Sequence, residues 1–162
     1  AMKLFMQQKG FSWGQPMPLW DKGGHTRYTV TGDAYSLGKR LRVHDLAGRE
    51  AVYIHQKIPS MFPSYEIEVY GKPVGSVVKD LTFLRPKYSV AELGWELCGT
   101  MGICDYELTW QNSVVAANHP VQGQRGKMFA MEFYDRTAEL SALGVLLTIN
   151  CILAPQESRR PG

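Results

Sequence analysis

The longest apolar segment of this chain spans residues 138–154, with the sequence AELSALGVLLTINCILA, and it follows a long region of short alternating stretches. An α-helix with almost no polar face must be buried on every side. Two environments provide this burial: the hydrocarbon core of a membrane and the interior of a β-barrel. The location of this helix therefore decides the fold class.

The region before the helix contains a recurring hairpin pattern. Each copy has an alternating stretch, a turn rich in Gly or Asn, and a second alternating stretch. The copies lie at Met17–Val30, Leu41–Lys57, Tyr65–Lys79 and Tyr106–Asn118. Period-two alternation places one face of a strand on a core and the other in water, which is typical of antiparallel sheets. Further strands are predicted at Tyr88–Leu97 and Met128–Phe133.

The number of half-apolar strands predicts closure, because open sheet edges promote aggregation. A barrel of about twelve strands is too wide for its inward side chains to meet, so it needs an internal filler. The sequence therefore predicts a mainly β fold, a closed antiparallel β-barrel of about twelve strands around a buried hydrophobic C-terminal α-helix. We expect a single domain over residues 2–154 and a disordered tail over residues 155–162.

Length and polarity both favour the barrel interior for the helix, with a membrane span as the alternative. A helix over residues 138–154 is roughly 25 Å long, shorter than the roughly 30 Å hydrocarbon core of a bilayer. The amide of Asn150 needs a hydrogen-bond partner, which a barrel wall supplies and lipid does not. One helix face carries small residues, predicting closest approach to the wall at Ser141, Gly144, Thr148 and Cys151.

Charge and cysteine content narrow the function classes. The chain has 18 Lys and Arg against 15 Asp and Glu, a net charge of +3. This excess is too small for a typical nucleic-acid binder, so no nucleic-acid partner is expected. Three cysteines without CxxC spacing indicate neither a disulfide framework nor a zinc site. The first residues lack the continuous apolar stretch of a signal peptide, so we expect a cytoplasmic protein, peripheral to the inner face of the membrane.

Several segments carry a family resemblance: Tyr35-Ser-Leu-Gly-Lys-Arg-Leu41, Ile54-His-Gln-Lys57, Pro63-Ser-Tyr-Glu-Ile67, Phe83-Leu-Arg-Pro-Lys-Tyr88 and the final apolar helix. Together with the hairpins they resemble the bacterial single-domain branch of the LURP-one-related family. The resemblance implies the tubby-C-terminal-like fold, which is shared with tubby proteins and, more distantly, with phospholipid scramblases. It also implies anionic phospholipid or phosphoinositide head groups as the ligand class, because tubby proteins bind such head groups.

The sequence contains no recognised catalytic signature. The patterns GxSxG, HExxH and the P-loop are all absent, and Gly23-Gly24 lies in a predicted hairpin turn. The histidines are scattered along the chain, which favours surface roles for His25, His44, His55 and His119. We therefore predict a protein that is not an enzyme, with no catalytic residues, no cofactor and no metal site.

Basic residues provide the one predicted binding site. They recur at the ends of hairpins or in the following linkers, at Lys57, Lys79, Arg85 and Lys87. Their equivalent positions predict convergence at one barrel rim, where they would bind an anion such as phosphate. The alternative is that these charges keep strand ends soluble. A second basic corner contains Lys39, Arg40 and Arg42.

The sequence thus favours a binding or scaffold domain of uncharacterised role, with anionic membrane phospholipids and protein partners expected. Residues in or beside the corners are candidates either to enter a membrane interface or to plug the barrel ends, namely Phe11, Trp13, Trp20, Met61 and Phe62. One alternative is a membrane-inserted, scramblase-like protein anchored by the helix. Another is a small-ligand binder, which requires a polar pocket at the barrel mouth lined by titratable groups.

Overall fold

A computed structural model describes residues 2–8, 13–33, 38–80, 87–123 and 126–155 of the chain. These residues form a 12-stranded antiparallel sheet wrapped around a C-terminal helix. The strands are β1 (Met2–Gln7), β2 (Met17–Trp20), β3 (Thr26–Asp33), β4 (Arg40–His44), β5 (Glu50–Gln56), β6 (Ser64–Val69), β7 (Lys72–Asp80), β8 (Lys87–Ala91), β9 (Glu96–Thr100), β10 (Asp105–Trp110), β11 (Ser113–Gly123) and β12 (Gly126–Phe133). The predicted mainly β fold is confirmed.

The order of strands in the sheet is β8-β7-β6-β5-β4-β3-β2-β1-β12-β11-β10-β9. The first strand pairs with the last along its whole length, from Met2 opposite Phe133 to Gln7 opposite Met128. At the two margins of the sheet, β8 and β9 contact each other, but the described residues form no ladder between them. The sheet is therefore nearly closed into a barrel, with a seam between β8 and β9.

All four predicted hairpins are present, as β2–β3, β4–β5, β6–β7 and β10–β11. The first two turns share one stabilising device, an aspartate at the start of the turn. Asp21 Oδ1 accepts backbone N–H groups of the second and fourth following residues at 2.9 and 3.0 Å, and Asp45 Oδ1 does the same at 2.9 and 3.0 Å. Such side-chain acceptors favour turn formation locally, before any tertiary contact exists.

One predicted strand is wrong. Tyr88–Leu97 was expected to be continuous, but it contains the end of β8, a turn and the start of β9. The backbone of Glu92 has φ 75° and that of Gly94 has φ 67°, both in the left-handed region. This region is incompatible with an extended strand, so the chain changes direction there.

The barrel has two different ends. The turn end holds the hairpin turns at residues 21–25, 45–49, 70–71 and 111–112, and the loop end holds the connections at residues 57–63 and 101–104. The C-terminal helix begins at the turn end with a 3₁₀ turn, Arg136–Ala138, and continues as α1, Glu139–Leu147. It ends towards the loop end as a π-helical segment, Thr148–Leu153.

The C-terminal helix occupies the barrel axis, as predicted. Leu143, Leu146 and Leu153 are fully buried against inward residues of the wall such as Ile54 and Leu108. The segment Arg136–Leu153 is long and apolar enough to cross a membrane by length and composition, yet 67% of it is buried inside the protein. Burying each such leucine contributes roughly 1.5–3 kcal/mol, so the helix is a principal source of stability.

At Gly144, one residue of the predicted stripe of small residues, the helix approaches the wall closely, as expected. A Cβ atom added to Gly144 would lie 2.6 Å from Cγ2 of Ile67 and 3.3 Å from Cγ1 of Val52. Contacts this short are repulsive, so only glycine allows the helix to pack against β5 and β6 at this distance.

The side-chain amide of Asn150 finds hydrogen-bond partners inside the barrel, as expected. These partners are side chains of the wall and not its backbone carbonyls. Asn150 Oδ1 accepts the hydroxyl of Tyr106 at 2.9 Å, and its Nδ2 donates to Oδ1 of Asn118 at 2.9 Å. Asn118 Nδ2 then donates to the carbonyl of Cys104 at 2.7 Å. Of the predicted tail over residues 155–162, Pro155 is described, and residues 156–162 lie outside the described residues.

Candidate functional site

The predicted anion-binding residues belong to elements that meet at the loop end. Lys57 directly follows β5, Lys79 lies near the end of β7, and Lys87 is the first residue of β8. The N–H groups of Lys57 and Lys79 donate to the carbonyls of Ser64 and Pro63 at 2.8 and 2.9 Å, which fixes both backbones beside the same loop. Arg85 and the side chain of Lys87 lie outside the described residues.

Lys79 differs from Lys57 in the direction of its side chain. It is 2% exposed and lies on the same inward face of β7 as Val77, with Nζ 6.0 Å from the ring centroid of Tyr88. Its charge is therefore turned into the barrel rather than towards solvent. Anion binding by Lys57, Lys79, Arg85 and Lys87 as a set stays a prediction.

The surface of the loop end combines positive charge with exposed apolar side chains. Met61 is 88% exposed and Ile58 is 53% exposed in the loop between β5 and β6. The corner that carries Lys39 and Arg40 is adjacent, since Lys39 N–H donates to Oε1 of Gln56 at 3.3 Å. We call Lys39, Arg40, Lys57, Ile58 and Met61 the loop-end patch.

The loop that carries the patch has a defined shape. Ser60 Oγ donates to the carbonyl of Phe62 at 2.6 Å across the tip, and this bond leaves Met61 projecting outwards. Lys57 Nζ lies 3.5 Å from Oε2 of Glu66, while its side chain stays 40% exposed. A fixed loop with an apolar tip and neighbouring cations is chemically suited to an interface between water and an anionic, partly apolar surface.

The turn end contains a polar cavity of about 620 Å³ at the start of the C-terminal helix. Its lining comprises Met2, Arg27, Phe133, Tyr134, Arg136 and Glu139. Among the described residues, Oε1 of Glu139 is buried without a hydrogen-bond partner. Burial raises the pKa of Glu139 above its ordinary value, and the opposing effects of the two arginines are smaller.

A small-ligand site at the barrel mouth requires a polar pocket lined by titratable groups, and this cavity is such a pocket. It presents two guanidinium groups, from Arg27 and Arg136, and one desolvated carboxyl, from Glu139. Sequence reasoning missed all three, because β3 and the helix are far apart in the chain and meet only in the fold. No local pattern marks them.

One group of metal-type ligands converges on the outer wall within the described part of the chain. It consists of His55 on β5 with Glu66 and Glu68 on β6, whose ligand atoms all lie within 4.8 Å of one another. The sequence alone predicts a surface role for His55 and no metal site. The signal that could have revealed the group is the strand register, which places His55 opposite Glu66.

Comparison with known proteins identifies the family. The sequence model for LURP-one-related proteins matches residues 2–136. The chain belongs to the LURP-one-related family. An uncharacterised protein of Bacillus subtilis (strain 168), YxjI, is 37% identical over 108 residues, which cover 67% of this chain and 67% of the relative.

A solved structure supports the fold of this LURP-one-related chain. The crystal structure of a protein from Arabidopsis thaliana superposes with a TM-score of 0.60 and covers 92% of this chain and 91% of that chain. At 12% identity this likeness shows the fold alone. The family resemblance stated from the sequence is thus confirmed, and the family supports a binding or scaffold domain of unknown role.

Proposed function

We propose that this protein is a non-enzymatic domain that binds anionic phospholipid surfaces through the loop-end patch. The observation that carries the proposal is the position of Met61, 88% exposed, in a loop flanked by Lys57 and adjacent to Lys39 and Arg40. An exposed apolar patch that is rimmed by polar and charged residues is typical of a surface that contacts a membrane or a protein. The protein would act at the inner face of the membrane, where anionic lipids attract cations.

Charge and insertion act together in this mode of binding. Each Lys or Arg near an anionic leaflet contributes about 1 kcal/mol, and insertion of a methionine side chain contributes roughly 1.5–3 kcal/mol. Neither contribution alone holds a protein on a membrane. The sum over Lys39, Arg40, Lys57, Ile58 and Met61 is sufficient for reversible, salt-sensitive association.

Sedimentation with liposomes tests the proposed lipid binding. The wild-type chain is expected to pellet with vesicles of phosphatidylcholine and phosphatidylserine, and to remain in solution with phosphatidylcholine alone. Met61→Asp removes the apolar tip and adds a repelled charge, so affinity should fall by at least about tenfold. Because Met61 is 88% exposed, this substitution leaves the fold intact.

Leu46→Asp is the matched control, because Leu46 is 74% exposed at the opposite end of the barrel. The substitution introduces the same charge at another apolar side chain that is largely exposed to solvent. The Leu46→Asp variant should therefore bind vesicles as the wild type does. Equal binding to neutral vesicles, or no binding to either type, would contradict the proposal. An equal loss in Leu46→Asp would mean that net charge, and not the loop-end patch, governs binding.

A second candidate function is small-ligand binding in the turn-end cavity. The observation that favours it is the buried, unpartnered Oε1 of Glu139 beside the arginines of the cavity lining. Guanidinium groups bind carboxylate or phosphate, and a desolvated carboxyl binds an amine. The ligand class is therefore a small molecule that carries both an anionic and an amine group.

A thermal-shift experiment with O-phosphoserine tests this second candidate. The ligand should raise the unfolding temperature of the wild type, because it binds only the folded state. The shift should disappear in Arg136→Gln, since Arg136 is exposed and its replacement leaves the core unchanged. An absent shift, or the same shift in Arg136→Gln, would exclude the cavity as the site.

A further inference from the structure

A histidine and two glutamates converge on the outer wall of the barrel, beside Lys57 of the loop-end patch and away from the turn-end cavity. His55 pairs with Glu66 across the β5–β6 ladder, and Glu68 follows two residues later on the same face. His55 Nε2 lies 3.4 Å from Oε1 of Glu66 and 3.0 Å from Oε2 of Glu68. All three side chains are about three-quarters buried.

The two separations from His55 Nε2 are close to the edge length of a zinc coordination tetrahedron, and all three ligand atoms lie within 4.8 Å of one another. Zinc binds imidazole nitrogen and carboxylate oxygen at about 2.0–2.2 Å, so neighbouring ligand atoms lie roughly 3.3 Å apart. His55 Nε2 is buried and makes no hydrogen bond of good geometry with any described residue, although two carboxylates are near it. An ion placed among the three atoms would use that nitrogen and one oxygen of each glutamate.

The surroundings hold two of the three side chains, those of His55 and Glu66, in place. The two oxygens of Glu66 are divided between partners, because Oε1 faces His55 while Oε2 lies 3.5 Å from Nζ of Lys57. The ring of Tyr53 stacks on His55 with centroids 5.0 Å apart, and the guanidinium of Arg42 lies 4.4 Å above Tyr53. Outer partners of this kind fix the orientation of metal ligands.

Charge also favours a cation at this place. Glu66 and Glu68 bring two carboxylates together here, and the ammonium group of Lys57 is paired with only one of them, Glu66. A divalent ion reverses this imbalance and relieves the repulsion between Glu66 and Glu68. One nitrogen and two oxygen ligands suit zinc, whereas calcium and magnesium prefer oxygen alone.

We propose that His55, Glu66 and Glu68 form a zinc site in which water completes the coordination. The ion would join β5 to β6 at the base of the loop that carries Ile58 and Met61. No residue of the loop-end patch is a ligand, although Lys57 of that patch is paired with Glu66. The spacing of residues in the sequence had indicated no metal-binding motif in this chain.

Isothermal titration calorimetry with zinc chloride tests the site. The protein should lack a histidine tag and carry Cys98→Ser, because an exposed thiol is a competing zinc ligand. We expect one zinc ion per chain and a rise in unfolding temperature on zinc addition. His55→Ala and Glu68→Gln should each weaken binding by at least about tenfold, since even outer-shell losses cost that much.

His119→Ala is the matched control, because His119 Nδ1 lies 2.7 Å from Oδ1 of Asp105 in a two-residue pair on another wall. It should bind zinc as the parent does, and circular dichroism should show that all variants are folded. Unsaturable or absent binding by the parent would overturn the proposal. So would unchanged binding in both ligand variants, a loss in His119→Ala, or equally tight binding of calcium.

Discussion

Leu146→Asp is expected to leave no folded, soluble protein. Leu146 is fully buried at the centre of the C-terminal helix, and its carbonyl accepts the hydroxyl of Tyr106 at 3.3 Å. The substitution removes roughly 1.5–3 kcal/mol of apolar burial and places an unpaired carboxylate in the core, at a cost of several kcal/mol more. The sum is comparable with the roughly 5–15 kcal/mol that stabilises a whole domain.

The measurement is the amount of soluble protein after expression, followed by near-ultraviolet circular dichroism of any soluble fraction. Leu140→Asp is the control on the same helix, because Leu140 is only partly buried near the turn end. It should reduce stability and still yield folded protein. If Leu146→Asp were soluble and folded, the helix would lie outside the barrel and the anchor interpretation would return.

Asn150→Ala is expected to lower the free energy of unfolding by about 2–4 kcal/mol. The change leaves Oδ1 of Asn118 without its 2.9 Å donor and removes the 2.9 Å acceptor of the Tyr106 hydroxyl. Asn118 is fully buried, so water does not replace the lost donor of its Oδ1, and a small cavity remains, whereas the Tyr106 hydroxyl keeps the carbonyl of Leu146 at 3.3 Å. Urea denaturation followed by tryptophan fluorescence measures the loss.

Thr148→Val provides the comparison for this second variant. Thr148 is buried two residues away, but its hydroxyl donates only to the carbonyl of Gly144, at 2.7 Å, within the same helix. That carbonyl also accepts the backbone N–H of Thr148, so removing the hydroxyl leaves no orphaned group. The loss should be about 1 kcal/mol or less. Equal effects of the two variants would show that the network between helix and wall has no special role.

The barrel could be predicted from the sequence because its signals are local. Alternation in each hairpin, an aspartate at the start of the first two turns, and a helix without a polar face all act within a few residues. The seam and the split of Tyr88–Leu97 could not be predicted in this way. They depend on positive φ angles at Glu92 and Gly94. An alternating pattern of apolar and polar residues does not indicate where the backbone turns.

The candidate binding residues were harder to predict for two reasons. Lys79 was grouped with Lys57 by its position at a strand end, whereas its place two residues after Val77 puts it on the inward face. Side chains alternate between the two faces of a strand, so the two-residue separation from Val77 was enough to indicate that Lys79 points inward. In contrast, the approach of His55 to Glu66 and Glu68 depends on the register between two strands, which a single sequence does not specify.

The pairing of β1 with β12 has a consequence for biosynthesis. The side-chain amide of Gln8 donates to the carbonyl of Met128 at 3.0 Å, a contact between residues 120 positions apart. On the ribosome, β1 emerges long before β12, and the helix that fills the axis is translated after both. The nascent chain therefore exposes apolar strand faces until β12 and the helix have been synthesised, and during that time the exposed faces favour aggregation.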